Sequence, residues 1–228
     1  MALVAKWSNL QVDNRGFSPG GAFSMRIPPI DSHYISVSII RRRLPHWRPD
    51  GRPLFVTFHL HGSLPECRYP PPEHPSAGKA FVWMDRYLDT TRRGPLWLRR
   101  EEVAGAVSDR IRAGAAEDRL YDLQAWVVMA NHVHMLVHPL IEPSERMRRI
   151  KGRTAREANL LLNRVGEPFW QRESYDRWIR SVEEFAKVTR YIERNPVTAG
   201  LVSTAEEHRW SSAWPGWAKA EAEASVAS

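Results

Sequence analysis

The stretch Ala130-Asn131-His132-Val133-His134-Met135-Leu136-Val137 sets the reading of this chain. It is apolar at both ends and holds two histidines one residue apart. Side chains on a strand alternate between faces, so His132 and His134 point the same way. At a rise of ~3.3 Å per residue their stems stand about 6–7 Å apart, close enough for both rings to reach one cation. The preceding run, Leu120 to Met129, is also apolar and reads as a second strand, with Ala130-Asn131 as the turn between the two. A histidine pair of this kind is also ordinary filler on a half-wet sheet. A metal reading needs a third group from elsewhere in the chain.

Tyr191-Ile192-Glu193-Arg194-Asn195-Pro196 offers that group. Tyr191 and Asn195 are four apart and share a helix face. Pro196 disfavours helical geometry at the residue before it, which predicts a helix ending at Asn195. Ser181 is the expected N-cap, with Glu184 as its capping-box partner. Val182, Phe185, Val188 and Ile192 form the expected buried stripe.

An Asn-His-Val-His strand followed by Tyr-Ile-x-x-Asn-Pro resembles the single-tyrosine HUH transposases. Within them it is most similar to the REP-associated tyrosine transposases, bacterial relatives of the insertion-sequence enzymes. Three further stretches carry the resemblance: Arg42-Arg43-Leu44-Pro45-His46-Trp47 leading into Phe55-Val56-Thr57-Phe58; Lys151-Gly152; and Phe169-Trp170-Gln171-Arg172-Glu173. It spans residues 41–214. The resemblance implies a palm-like fold and a divalent cation, Mg2+ or Mn2+, held by His132, His134 and Asn195. It implies Tyr191 as the nucleophile on a single-stranded DNA hairpin, a repetitive extragenic palindrome, giving a 5′-phosphotyrosine link and a free 3′-OH. The insertion-sequence branch usually has Gln where Asn195 stands, so the third contact here reaches one methylene less.

Around these motifs the elements fall into order. Leu54 to Leu60 reads as a central strand, Ala80–Leu88 and Arg99–Ala113 as helices, Glu145–Val165 as a helix broken near Gly152, and Tyr175–Ile179 as the last strand. With the strand pair and the tyrosine helix, this order predicts an α+β, ferredoxin-like antiparallel sheet with packed helices. One domain is the default at 228 residues. Its expected bounds are 41–202, after a disordered extension over 1–40, where Met25 is an alternative start, and before a tail over 203–228 that folds partly back.

Charge points to the partner. The net charge is +7 and the pI ≈ 9.9, which favours a polyanion. From Ser144 to Arg194 there are 13 Lys/Arg against 8 Asp/Glu, so the excess lies in the segment that delivers the tyrosine. Lys151 and Arg153 are the expected phosphate contacts there, and Arg42, Arg43 and Trp47 are placed to grip phosphate and stack a base. Lys187, one turn before Tyr191, could favour the phenolate by its charge. His59-Leu60-His61 is a second His-x-His, set aside because it ends its strand beside Gly62; if it is the metal strand, His59 enters the ligand set. Tyr175 is the reserve nucleophile.

Cys67 is the single cysteine, so no disulfide forms within the chain. No apolar run approaches the ~20 residues that span a bilayer. A cytoplasmic, nucleoid-associated protein is expected, as a monomer rather than a homodimer because chain beyond Pro196 is available to cover surface. The function read from the residues and the resemblance is a metal-dependent single-stranded DNA endonuclease and strand transferase. The alternative is a non-catalytic nucleic-acid-binding protein that stacks bases on an RNA-recognition-like sheet.

Overall fold

The computed structural model describes residues 37–41, 45–49, 51–64 and 77–217. A hairpin of β1 (Val37–Arg41) and β2 (Pro45–Pro49) comes first. The main sheet holds β3 (Leu54–His59), β4 (Tyr121–Val128), β5 (His132–Pro139) and β6 (Tyr175–Trp178). Its order is β4-β5-β3-β6 and every neighbouring pair is antiparallel, which is the ferredoxin-like arrangement expected. Four helices accompany it: α1 (Ala77–Thr90), α2 (Glu101–Ala116), α3 (Pro143–Leu161) and α4 (Val182–Thr198).

β3 and β5 are the inner strands and are buried on both faces, as near-continuous apolar runs must be. Their alternation sorts two layers. Leu54, Val56, Phe58, Val133, Met135 and Val137 face a core shared with Val103, Val107 and Ile111 of α2 and Ile150 and Ala158 of α3. Phe55, Thr57, His132 and His134 face the other way, toward side chains of α1 and α4. A β-bulge between Leu123 and Ala125 exchanges the faces of β4 part-way along. Trp126 and Val128 thereby join the α2–α3 core, and Val127 lies in register with His134. The open edge of β4 is covered by the tail, through Val128 N–H to Trp210 O at 2.8 Å and Ser212 N–H to Trp126 O at 2.9 Å.

Several local expectations are corrected. α4 does not stop at Asn195; it continues through Pro196 to Thr198. Proline costs a helix its N–H and crowds the carbonyl four residues back, but in the last turn little helix is left to distort, and Asn195 and Pro196 are both buried. α3 is unbroken at Gly152, where glycine costs only ~1 kcal/mol relative to alanine. Ser181 Oγ accepts from Glu184 N–H at 3.2 Å, but the Glu184 carboxylate passes Ser181 and takes Arg180 N–H at 2.8 Å instead. Val182 is 52% exposed and leaves the stripe, which consists of Phe185, Val188 and Ile192. Burial of those three side chains stabilises the docked helix by roughly 5–9 kcal/mol at most.

Candidate active site

β5 brings His132 and His134 to the sheet face that α1 and α4 cover. Both rings are completely buried. Their Nε2 atoms lie 3.1 Å apart. Asn195, reaching in from α4, places Nδ2 3.2 Å from His134 Nε2. Tyr191, one turn earlier on α4, stands with its ring centroid 5.6 Å from that of His134. The four residues singled out by their spacing in two separate motifs therefore meet in one place.

A fifth residue joins them. Asp85 of α1 has Oδ1 3.1 Å from His134 Nε2, and its Oδ2 accepts the Tyr191 hydroxyl. Asp89, one turn later, has Oδ1 3.6 Å from His132 Nε2. By sequence, Trp83, Met84 and Tyr87 give α1 an apolar face. Met84 is buried, but Trp83 and Tyr87 stack on each other at 5.6 Å and are only half-buried. The inward stripe is Phe81, Asp85 and Leu88. A signal was present: an aspartate at i+4 within an apolar i, i+4, i+7 stripe is a buried charge that needs a partner.

Hydrogen bonds fix which imidazole nitrogens face inward. Asn131 Nδ2 donates to Leu88 O at 3.1 Å, which turns Asn131 Oδ1 to His132 Nδ1 at 2.7 Å. The His132 proton therefore sits on Nδ1, and the Nε2 lone pair points at the cluster. His134 Nδ1 lies 2.7 Å from Thr57 Oγ1, a hydroxyl that serves either tautomer. Burial, and then the neighbouring His134, hold His132 well below the usual histidine range, so it stays neutral. Burial, and then the charges of Asp85 and Asp89, push the Tyr191 phenol well above its usual value. Burial opposes charge on Asp85 as well, but the hydrogen bond and charge of His134 prevail and keep its carboxyl below the usual range.

Ligand atoms of Asp85, His132 and His134 thus converge, all three within 4.8 Å of one another. Asn195 Oδ1 is a buried acceptor with no hydrogen-bond partner among the described residues, and Asp85 Oδ1 faces the His134 ring. Buried acceptors short of donors are what a cation would satisfy, and a set of two imidazoles with carboxylate and amide oxygens suits a divalent ion. The residues fit the group.

The other predicted positions fall elsewhere. Lys187 is half-buried one turn before Tyr191, and its charge acts on the Glu183 carboxylate. The charges that act on the phenol are carboxylates. Lys151 Nζ is engaged by the carbonyls of Gln171, Arg172 and Glu173 at 2.9, 3.2 and 3.1 Å. Arg153 pairs with Asp118. Arg146, one of the 13 basic residues counted from Ser144 to Arg194, is 1% exposed and belongs to the interior. Trp47 is on β2 opposite Ile39, while Arg42 and Arg43 lie outside the described residues. His59 is opposite His132 in register, but its Nδ1 bonds Ser63 Oγ at 2.8 Å, and it is not in the cluster of ligand atoms. Tyr175 stacks on Phe81 at 4.2 Å, and burial pushes its phenol up to about 12.

Comparison with known proteins adds three findings. Residues 96–195 match the family model described as transposase, IS200-like. That span contains both histidines, Tyr191 and Asn195; it begins after α1. A solved structure of a REP-associated tyrosine transposase bound to a REP hairpin is similar, at 21% identity and a TM-score of 0.47, over 76% of this chain and 81% of that one. No curated protein matches the chain.

Proposed function

Because residues 96–195 match the model of the IS200-like transposase family, we propose that this protein cuts and rejoins single-stranded DNA through Tyr191. The observation that carries this reading is the meeting of Tyr191 and Asn195 from α4 with the His132–His134 pair from β5. A protein that only bound nucleic acid would not need a phenol beside paired imidazoles in a buried polar cluster.

In this reading Tyr191 Oη attacks a backbone phosphorus, the bond from phosphorus to the 3′ oxygen breaks, and the 3′-OH leaves. The 5′ end stays on the tyrosine as a phosphodiester, so a later 3′-OH can reverse the step without an external energy source. His132, His134 and Asn195 would hold a divalent cation, Mg2+ or Mn2+, beside Asp85. Such an ion supplies Lewis-acid withdrawal of charge from the phosphate and a fixed approach for the attacking oxygen. Asn131 and Thr57 orient the two imidazoles, and Phe55, stacked beneath His134 with centroids 5.6 Å apart, keeps water from that side.

The substrate class follows the resemblance: a hairpin of repetitive extragenic palindrome type, with the excess positive charge of the chain drawing it in. Base stacking on an open sheet, as in RNA-recognition modules, is at odds with side chains of helices on both faces of this sheet. A monomer is part of the same proposal. A light-scattering mass of twice 26.3 kDa would overturn that. Cytoplasmic, nucleoid-associated action is part of the same proposal; no helix among the described residues is long and apolar enough to cross a membrane.

The test is covalent capture. A labelled single-stranded hairpin incubated with Mn2+ should give a protein–DNA adduct that survives denaturation. Tyr191→Phe should abolish it and leave binding within a few-fold. An adduct that persists in Tyr191→Phe refutes the assignment of the nucleophile.

A further inference from the structure

Asp85 stands outside the span of the family match, yet it touches both halves of the site. We propose that Asp85 is the positioning residue that ties the phenol to the cation site: Oδ1 joins the ligand set of His132 and His134, and Oδ2 holds the Tyr191 hydroxyl. This rests on the function proposed above.

The two oxygens of a carboxylate are rigidly spaced. Whatever Oδ1 grips is therefore fixed relative to whatever Oδ2 grips. Asp85 is itself fixed, because α1 is anchored on either side of it. Before it, Phe81 meets Phe55 edge-on at 5.4 Å and stacks on Tyr175. After it, Leu88 O accepts the Asn131 amide. Asn131 also orients His132, so one residue sets both the helix carrying Asp85 and the imidazole beside it. Phe55 in turn stands edge-on to the Tyr191 ring at 6.1 Å, which leaves the hydroxyl little freedom except toward Asp85.

The choice of residue is informative. An asparagine would accept the Tyr191 hydroxyl as well as an aspartate and would avoid burying a charge. A carboxylate this buried is costly beside neutral groups and is retained where a positive partner joins it. Asp89 adds a second carboxylate near His132. Two carboxylates gathered with the ring nitrogens of His132 and His134 suit a cation. Asp85 therefore does two separable things: its charge serves the ion and its geometry serves the phenol.

The experiment uses the full chain with Mn2+ as the probe, its affinity read by electron paramagnetic resonance and adduct formation read on the labelled hairpin. Asp85→Asn keeps an acceptor for the phenol and loses the charge. It should weaken Mn2+ binding by at least about tenfold, with the adduct rate recovered at saturating Mn2+. Asp85→Ala loses both functions. Its adduct rate should stay at least about tenfold below wild type even at saturating Mn2+, because the phenol is no longer oriented. Unchanged Mn2+ affinity in Asp85→Asn, or a wild-type rate for Asp85→Ala at saturation, overturns the proposal while the nuclease reading stands. Absence of saturable Mn2+ binding and of adduct in the wild-type protein sinks both.

Discussion

Replacing Asn131 by alanine tests the link between the fold and the site. Asn131 is completely buried in the turn between β4 and β5. Its amide donates to Leu88 O, a carbonyl in the last turn of α1, and accepts from His132 Nδ1. Alanine leaves both partners buried and unsatisfied, at about 1–3 kcal/mol each. The sum is roughly 2–6 kcal/mol. For a domain of this size that lowers the melting temperature by roughly 4–24 °C. Urea unfolding in the presence of chelator measures this loss free of metal. The same change releases the His132 ring, and Mn2+ affinity should fall by about 10–100-fold. Asn131→Asp separates the effects. It can still accept from His132 Nδ1, so Mn2+ binding should survive, but it cannot donate to Leu88 O and should be at least as unstable as the alanine variant. If Asn131→Ala unfolds within about 0.5 kcal/mol of wild type and binds Mn2+ equally well, the roles given to this amide are wrong.

Two further outcomes follow from other contacts. Burial lowers His59 from 6.5 to about 4, so the unfolded chain binds the extra proton between those values; stability should be full above pH 6.5, fall by roughly 2 kcal/mol at pH 5, and level off below pH 4, and a His59→Gln variant whose urea midpoint shows the same acid slope would contradict this. Lys151→Met should cost about 1–2 kcal/mol through its three lost carbonyl contacts while leaving the salt dependence of DNA binding unchanged; a slope reduced by about one would return Lys151 to the phosphate contacts.

Legibility in the sequence tracked the range of the interaction involved. His132 with His134, and Tyr191 with Asn195, are paired by strand and helix periods that act over a few residues, and both pairs could be placed on one face from spacing alone. The order of elements was enough for the sheet. Asp85 was missed because the Phe81, Asp85 and Leu88 stripe marks a buried charge without saying what it meets; its partner Tyr191 is 106 residues away. The carbonyl contacts of Lys151 were hidden for a related reason. A lysine on a basic helix looks like a free cation until the carbonyls that turn toward it, 20 to 22 residues later, are known. The bulge at Leu123 to Ala125 was hidden within an apolar run, where a change of face leaves no change of composition. Proline within α4 was over-read, since its veto weakens in a last turn held by burial.

Tyr191 comes late in the order of elements. The last strand, β6, ends at Trp178, and α4 begins only at Val182. All four strands of the main sheet therefore precede the helix that carries Tyr191. Without α4, Phe55 and His134 lose the cover of the Tyr191 ring, and a chain cut between β6 and α4 should keep the strands but expose an apolar face. In the function proposed above, the sheet and its histidines alone cannot cut DNA, and the site is armed only once α4 is in place.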